Sequence, residues 1–501
     1  MIVFVLIIIL LLMLFQIKRY YTLVNKYPKG PTPLPFIGNL LHIPINDTPA
    51  YFEILSKVYG PVFTIFLPLP TVILCDYTAL KEAMITKGDC FAGRPQNYPE
   101  SFFQYAKDQG IIFSEGPNWV DQRRMAFHIL RNFGMGKDLM EKRVHDSVND
   151  LIKFITDQCE QDYIDIKWPI QITMANIMND LLYGYKYDIE GNEKYKTLVI
   201  YLTEAIKKIR CSKTILLMQL FNEYPKINNI LKYFCGVNTD ELEKLFQKVR
   251  DDVDEVIETF KHDVIEPKNF VHAYLQKCNM MEGSNINKDE IYGVVYDMWF
   301  AGMETVTTVL YWSFLFLATN QDKQRMIRKE ILNVIGSNYE IEYKYKFKMP
   351  YTTAVIYESL RLGNIIPFIV THKTTCDVDV CGVNIPKNTN IYPQVYNVMK
   401  YDEDFIESDK FIPERFLLFD LDNHAILNKN LIDKCVPFGL GKRRCLGESI
   451  AHMELFIVLV KIIQKFDIKI PSNINVEDYK PVWGAILKPK KLDFKFERIV
   501  Y

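Results

Sequence analysis

No two cysteines of this chain are spaced C-x-x-C, although ten are present, at 75, 90, 159, 211, 235, 278, 376, 381, 435 and 445. That argues against a zinc site and against the disulfide framework of small secreted domains, and it reads most of these residues as small buried hydrophobes in a reducing compartment. Neither G-x-x-x-x-G-K-[ST] nor G-x-G-x-x-G occurs, so the chain has no nucleotide motif of its own. Charge of one sign is not in excess. Lys and Arg number 60 against 61 Asp and Glu, which removes any global pull towards nucleic acid and leaves electrostatic partners to local patches. Internal repeats and low-complexity linkers are also missing, so the 501 residues fit one large domain with ample apolar material for a deep core.

What is present begins with hydrocarbon. MIVFVLIIILLLMLFQI is followed at once by Lys18 and Arg19 and has no basic residue before it. A cleaved signal peptide needs a positive start and a small-residue cleavage site, so residues 1–19 are expected to be an uncleaved transmembrane anchor with the body on the cytoplasmic side. The run spans only about 25 Å as a helix, against roughly 30 Å of bilayer core. Snorkelling by Lys18 and Arg19, with Tyr20 and Tyr21 at the interface, closes the gap. Residues 20–39 then form a basic, proline-rich hinge, stiffened by four prolines in YPKGPTPLPFIGN.

Residues 40–501 are expected to be the body. VFTIFLP and TVILCD read as a β-hairpin, and DVCGVNIPKNTNIY and LDFKFER as further short strands. Nearly everything between about residues 118 and 365 has helical periodicity, including a long apolar segment that starts at Asn287-Lys288-Asp289-Glu290. The expected fold is mainly α (α+β): a helix-rich globule with small sheets at its edges.

Four stretches carry chemistry. In PFGLGKRRCLGESI, glycines let the backbone turn sharply, while the following helix presents its amides to the sulfur of Cys445 and favours a thiolate. In DMWFAGMETVTTVL, Gly302 weakens the helix by about 1 kcal/mol, as expected where a helix opens beside a ligand. Asp297, Ala301 and Thr305 lie on one side of it, with Glu304 and Thr308 nearby. A second membrane span there would strand Asp297 and Glu304 in lipid. In YESLRL, Glu358 and Arg361 lie one turn apart, and FIPERF adds Arg415; alone, such a pair reads as an exposed helix pair. In NWVDQRRMAFHILRNFGMGK, Trp119 and Arg123 share one helix face, and Arg124, His128 and Arg131 another.

Taken together and in order, these stretches resemble the cytochromes P450, and the R-x-F-G-M-G-K tail and NFVHAYLQK are similar to the animal microsomal forms. The resemblance covers the whole chain. It implies the cytochrome P450 fold, haem b as cofactor and Cys445 as the iron ligand, in a loop matching F-x-x-G-x-R-x-C-x-G through Phe438, Gly441, Arg443, Cys445 and Gly447. A thiolate on haem iron promotes O–O cleavage. It implies that Ala301, Gly302, Glu304 and Thr305 match the acid–alcohol segment A-G-x-[ED]-T, Thr305 relaying protons from water and Glu304 supporting the relay. Glu358, Arg361 and Arg415 would form a buried triad that steadies the cysteine loop. Trp119, Arg123, Arg443 and His372 would serve the haem propionates, with an ordinary surface histidine as the alternative for His372.

The resulting expectation is a haem-thiolate monooxygenase of the endoplasmic reticulum membrane, its catalytic domain in the cytoplasm, using O2 and electrons from NADPH through a separate cytochrome P450 reductase, with cytochrome b5 as a further candidate donor. Arg124, Arg131, Lys137, Lys442 and Arg444 would form the reductase surface. Ile112, Phe113, Phe300, Ala301, Ile366 and Phe368 are the pocket candidates, each equally readable as plain core, and they suit an apolar xenobiotic, fatty acid or steroid. A P450-fold peroxide isomerase or dehydratase and a non-catalytic haem protein are the alternatives.

Overall fold

The computed structural model describes residues 2–44, 47–97, 100–133, 138–160, 163–189, 240–259, 266–280, 289–337, 339–471, 481–482, 486–490 and 493–500, with scattered positions between 193 and 233. Among them the helices of eleven or more residues, numbered in chain order, are α1 (Ile2–Val24), α2 (Thr48–Tyr59), α3 (Gly116–Asn132), α4 (Asp138–Gln158), α5 (Lys167–Leu182), α6 (Asp240–Thr259), α7 (Phe270–Met280), α8 (Glu290–Thr319), α9 (Gln321–Val334), α10 (Pro350–Gly363) and α11 (Glu448–Lys465).

Helix α1 is apolar along almost its whole length and buries no residue. It is longer than the hydrocarbon run suggested, because Lys18 to Val24 continue the helix instead of opening the hinge. At 23 residues and 1.5 Å each it reaches about 34 Å, enough to cross a bilayer core without the stretching invoked above.

The expected hairpin is β1 (Val62–Phe66) with β2 (Pro70–Leu74), and both strands are buried on both faces. β2 pairs in parallel with β6 (Asn390–Pro393), and β6 takes β3 (His372–Lys373) on its other edge, giving the order β1-β2-β6-β3. Three two-stranded ribbons complete the edges: β4 (Val378–Val380) with β5 (Val383–Ile385), β7 (Leu417–Phe419) with β8 (Ala425–Leu427), and β9 (Phe466–Lys469) with β10 (Lys495–Arg498). The helices surround α8, an apolar helix buried along most of both halves, whose widest packing is against α5. Being buried all round is what lets a helix be apolar all round.

Two expectations change here. Gly302 does not open α8, which is helical without interruption from Glu290 to Thr319. A Cβ at Gly302 would sit 2.6 Å from the sulfur of Met178, so the glycine lets α5 and α8 close on each other. Among the cysteines, Cys90 and Cys376 form a disulfide that ties the segment after the first hairpin to the segment after β3. A sequence separation of 286 residues gave no spacing from which to read that pair.

Candidate functional site: a cysteine loop and its cationic cradle

The loop 437–447 leads from a short helix into α11, with Gly447 as the N-cap residue. The Cys445 N–H donates to Phe438 O at 2.9 Å, which closes the loop on itself. Gly439 and Gly441 both have positive φ, +72° and +70°, and a Cβ on Gly441 would lie 1.7 Å from Met84 O. Only glycine can occupy that position. Cys445 is exposed to a groove of about 1450 Å³. Burial pushes its thiol up, by more than the Gly447 and Glu448 amides and the Arg123 charge pull it down. The helix start alone therefore does not make the expected thiolate; a metal cation held by Cys445 would favour it.

Around the loop, three arginines and a histidine converge. Arg443 donates from Nε and Nη2 to Ala92 O at 2.9 and 2.7 Å and from Nη2 to Ser114 O at 2.7 Å. Its guanidinium stacks on the Trp119 ring, 3.6 Å from the centroid. Arg123 donates to the Arg444 carbonyl. His372, fully buried, donates from Nδ1 to Phe91 O at 2.7 Å and is not the surface histidine of the alternative reading. The fourth group, Arg94, was not anticipated. It is 4% exposed and donates to the carbonyls of Ile112, Val370 and Thr371, each at 2.9 Å.

The electrostatics of this cluster are unbalanced. Burial, with Arg94 and Arg123 adding to it, pulls Arg443 down to about 7, burial pulls Arg94 to about 9, and burial with Arg94 and Arg443 holds His372 well below its ordinary value. Guanidinium groups stay protonated in proteins. Three arginines and a histidine driven down together mark a place where an anion belongs. Two buried donors, Trp119 Nε1 and Arg443 Nη1, also have no partner among the described residues. Orphaned donors beside crowded cations, with a single available sulfur nearby, are what a flat cofactor carrying two carboxylates and a metal requires, so the residues present fit a haem.

Behind the loop, Glu358 and Arg361 on α10 are joined by two bonds, at 2.7 and 2.9 Å, and Arg415 reaches the same carboxylate at 3.2 Å. Glu358 also accepts from the Ile412 amide, while Arg361 donates to Met399 O and Ser408 O. The pair is buried, not an exposed helix pair. The three charges clamp the chain segment 399–415 that leads towards the cysteine loop.

On α8, Thr305 is half-buried, and its hydroxyl donates to Ala301 O at 2.7 Å. Glu304 is buried on another side of the helix, accepts from Gln171 Nε2 at 2.5 Å and forms an ion pair with Lys488. Asp297 does not line the same open side as Ala301 and Thr305. It is 2% exposed, and its Oδ2 accepts both the Ile111 and Ile112 amides, at 2.7 and 2.8 Å. Its carboxyl ties the loop 110–114 to α8.

The pocket candidates divide. Ile112, Phe300 and Ile366 are half-buried against the main core, Ala301 is half-buried on α8, and Phe300 stacks on Tyr296 with centroids 5.8 Å apart. Phe113 is fully buried and stacked on Phe103. Phe368 is not on this core: it packs with Phe52 and Tyr392 in a satellite cluster under β1 and β2. Its neighbour Ile369 is the one facing the cysteine loop, with a methyl 3.4 Å from where a Gly439 Cβ would be.

Arg124, Lys442 and Arg444 line the groove beneath Cys445, together with Lys344 and Lys346 from a Tyr343–Lys348 turn that sequence reading passed over. Arg131 is exposed one helix turn and more beyond Arg124 and does not line it. Lys137 lies outside the described residues.

A family model described as cytochrome P450 matches residues 28–496. The chain belongs to the cytochrome P450 family. Relatives include Cytochrome P450 2G1 of Rattus norvegicus, 32% identical over 481 residues, which cover 94% of this chain and 93% of the relative. Cytochrome P450 2A9 of Mesocricetus auratus is 32% identical over 468 residues, 91% and 90% of the two chains, and Cytochrome P450 2C29 of Mus musculus 31% over 483 residues, 94% of each. As a cytochrome P450 of this kind the protein is an oxidoreductase of the monooxygenase type with a haem cofactor.

Proposed function

We propose that this P450 inserts one atom of O2 into an apolar organic substrate, RH + O2 + two electrons + two protons giving ROH + water, with the electrons coming from NADPH through a separate reductase. When bound, haem ligated by a thiolate supplies the chemistry of O–O cleavage. The protein's own part is division of labour. Cys445 holds the iron, and Trp119, Arg123, Arg443, His372 and Arg94 hold the carboxylates. Ile112, Phe300, Ala301 and Ile366 offer substrate an apolar wall with few fixed polar anchors. Thr305 holds a proton at its Oγ1 next to the open side of α8, and Glu304 one residue earlier supports its resupply.

The groove onto which Cys445 opens is rimmed by Arg124, Lys344, Lys346, Lys442 and Arg444, which would steer an acidic flavoprotein domain, or cytochrome b5, towards the sulfur. Helix α1 anchors the protein in the endoplasmic reticulum membrane with the catalytic body in the cytoplasm, following the Lys18 and Arg19 charges on its C-terminal side.

The observation that carries this reading is the pairing of an available Cys445 sulfur with orphaned Trp119 and Arg443 donors on the same site. Its test is the reduced carbon monoxide complex of the purified full chain. A red-shifted Soret band is expected, is lost in Cys445→Ser, and is accompanied by oxygenated product when reductase and NADPH are supplied to a panel of sterols, fatty acids and drug-like compounds. A Cys445→Ser protein that kept the band would overturn the ligand assignment. A wild type that turned over added peroxides without any reductase, and nothing else, would favour the isomerase.

A further inference from the structure

A disulfide is out of keeping with a protein body in the cytoplasm. Thiol buffers there keep most cysteines reduced, and the pairs that do form are usually transient or redox-sensing. Cys90 and Cys376 are such a pair, with Cα atoms 5.5 Å apart. Both residues are half-buried, so a small molecule can reach the sulfurs. The pair closes one end of an antiparallel contact between residues 89–94 and 370–376. The Thr375 N–H donates to Cys90 O at 2.8 Å and its hydroxyl to Asp89 O at 3.1 Å, and the Lys373 N–H donates to Gly93 O at 2.9 Å. The same two segments carry the cationic cradle. His372 donates to Phe91 O, Arg443 to Ala92 O, and Arg94 to Val370 O and Thr371 O. Three of the cradle's side chains are thus held by backbone that the disulfide joins.

We propose that Cys90 and Cys376 are a reversible modification site, a thiol–disulfide switch that sets how tightly the cradle retains haem. The assignment rests on the cytoplasmic placement of the body given above. The oxidant is hydrogen peroxide, formed when O2 takes up two electrons and two protons without reaching substrate. One thiolate attacks peroxide to give a sulfenic acid and hydroxide, and the second thiol condenses with the sulfenic acid and releases water, so two thiols and one peroxide become one disulfide and two waters. Two molecules of a small thiol such as glutathione reverse the change through a mixed disulfide and end as their own disulfide. When the pair is open, hydrogen bonds alone hold the two segments together. When it is closed, a crosslink between residues 286 apart holds them as well. Peroxide formed at the site therefore tightens the cradle around the cofactor.

The haem-loaded full chain tests this as wild type and as Cys90→Ser combined with Cys376→Ser, each equilibrated with glutathione at a reducing or an oxidising ratio. Alkylation and mass spectrometry read the disulfide, and transfer of haem to excess apoglobin reads its retention. In the wild type the reducing buffer is expected to open the pair and to speed haem loss roughly tenfold, equivalent to about 1.4 kcal/mol. Stoichiometric peroxide added to the reduced wild type should restore both the disulfide and the slower rate. The double variant should lose haem at the faster rate in both buffers, which separates the pair from any effect of the buffer on Cys445. The wild-type comparison needs no variant and decides the matter even if the double variant loads haem poorly. Equal rates for the two wild-type states, a pair that stays closed at the reducing ratio, or one that does not close with peroxide overturns the switch and leaves the monooxygenase standing. A double variant that still responds to the buffer overturns it as well. Protease added to sealed microsomes checks the placement separately: a protected body would lie on the lumenal side and remove the cytoplasmic reading together with the switch.

Discussion

Replacing Asp297 separates two properties that a buried carboxyl combines. The native side chain accepts two amides with one oxygen and is 2% exposed. Asp297→Ala leaves both amides without their acceptor in a buried site. Each orphaned donor costs about 1–3 kcal/mol, so the loss should be roughly 2–6 kcal/mol. Asp297→Asn keeps an oxygen that can accept both bonds and should cost about 1 kcal/mol. The two variants also differ from the wild type in their response to pH. Burial raises the Asp297 carboxyl from 3.8 to about 7. The folded protein then holds a proton that the unfolded chain has released, so this group's contribution is full below 3.8 and is lost as pH rises through 7. Between about pH 5.5 and pH 8 the wild type should lose roughly 2 kcal/mol relative to Asp297→Asn. Melting temperatures of the haem-loaded protein at one scan rate, across that range, read the difference. Hydrogen exchange of residues 110–114 should speed up in Asp297→Ala. Parallel wild-type and Asp297→Asn curves would refute the burial argument, and equal stability of the Ala and Asn variants would refute the clamp.

Other perturbations address other parts of the site. Glu358→Gln leaves Arg361 and Arg415 without their shared anion, a loss of about 3–5 kcal/mol, and should yield little haem-loaded protein on expression. Thr305→Ala should retain the red-shifted carbon monoxide band while diverting NADPH electrons to peroxide; coupling equal to the wild type would remove Thr305 from the relay. Arg124→Glu with Lys346→Glu should slow reductase-driven turnover and flatten its salt dependence, because exposed charges are screened beyond about 8–10 Å, while peroxide-supported turnover stays near normal. Equal loss in both assays would point to damaged haem binding instead.

What could be read from the chain before folding was local. The hairpin β1–β2 is adjacent in sequence, α8 declares itself by its length and apolarity, and the cysteine loop is a single continuous motif. Partnerships made across long separations left no such trace. Arg94 has no motif around it and gains its place only when the carbonyls of Ile112 and of Val370 and Thr371, just before β3, close over it. Lys488 meets Glu304 across 184 positions, and nothing near residue 488 announces a carboxylate. Asp297 has the helical spacing of a pocket residue, yet the loop that lands on it comes from 186 residues earlier and decides its role. Phe368 packs elsewhere for a smaller reason: the chain bends at 367 and 368, and the apolar string NIIPFIVTH does not say which residue points inward.

The parallel pairing of β2 with β6 has a consequence for how the protein is made. Thr71 pairs with Asn390, so the first half of the central sheet must wait for a strand 319 residues later in translation. At about 5–20 residues per second that wait is roughly 16–64 s, and Cys445 follows later still. Throughout it α1 has already left the ribosome, and β2 offers an unpaired apolar edge. A nascent chain in that condition needs something to shield the edge, and membrane attachment through α1 keeps it near one surface instead of dispersed among other unfinished chains. Haem loading on this molecule is therefore a late event of biosynthesis, and a ribosome stalled before residue 390 should leave a tethered, haem-free species that chaperones or proteases meet first.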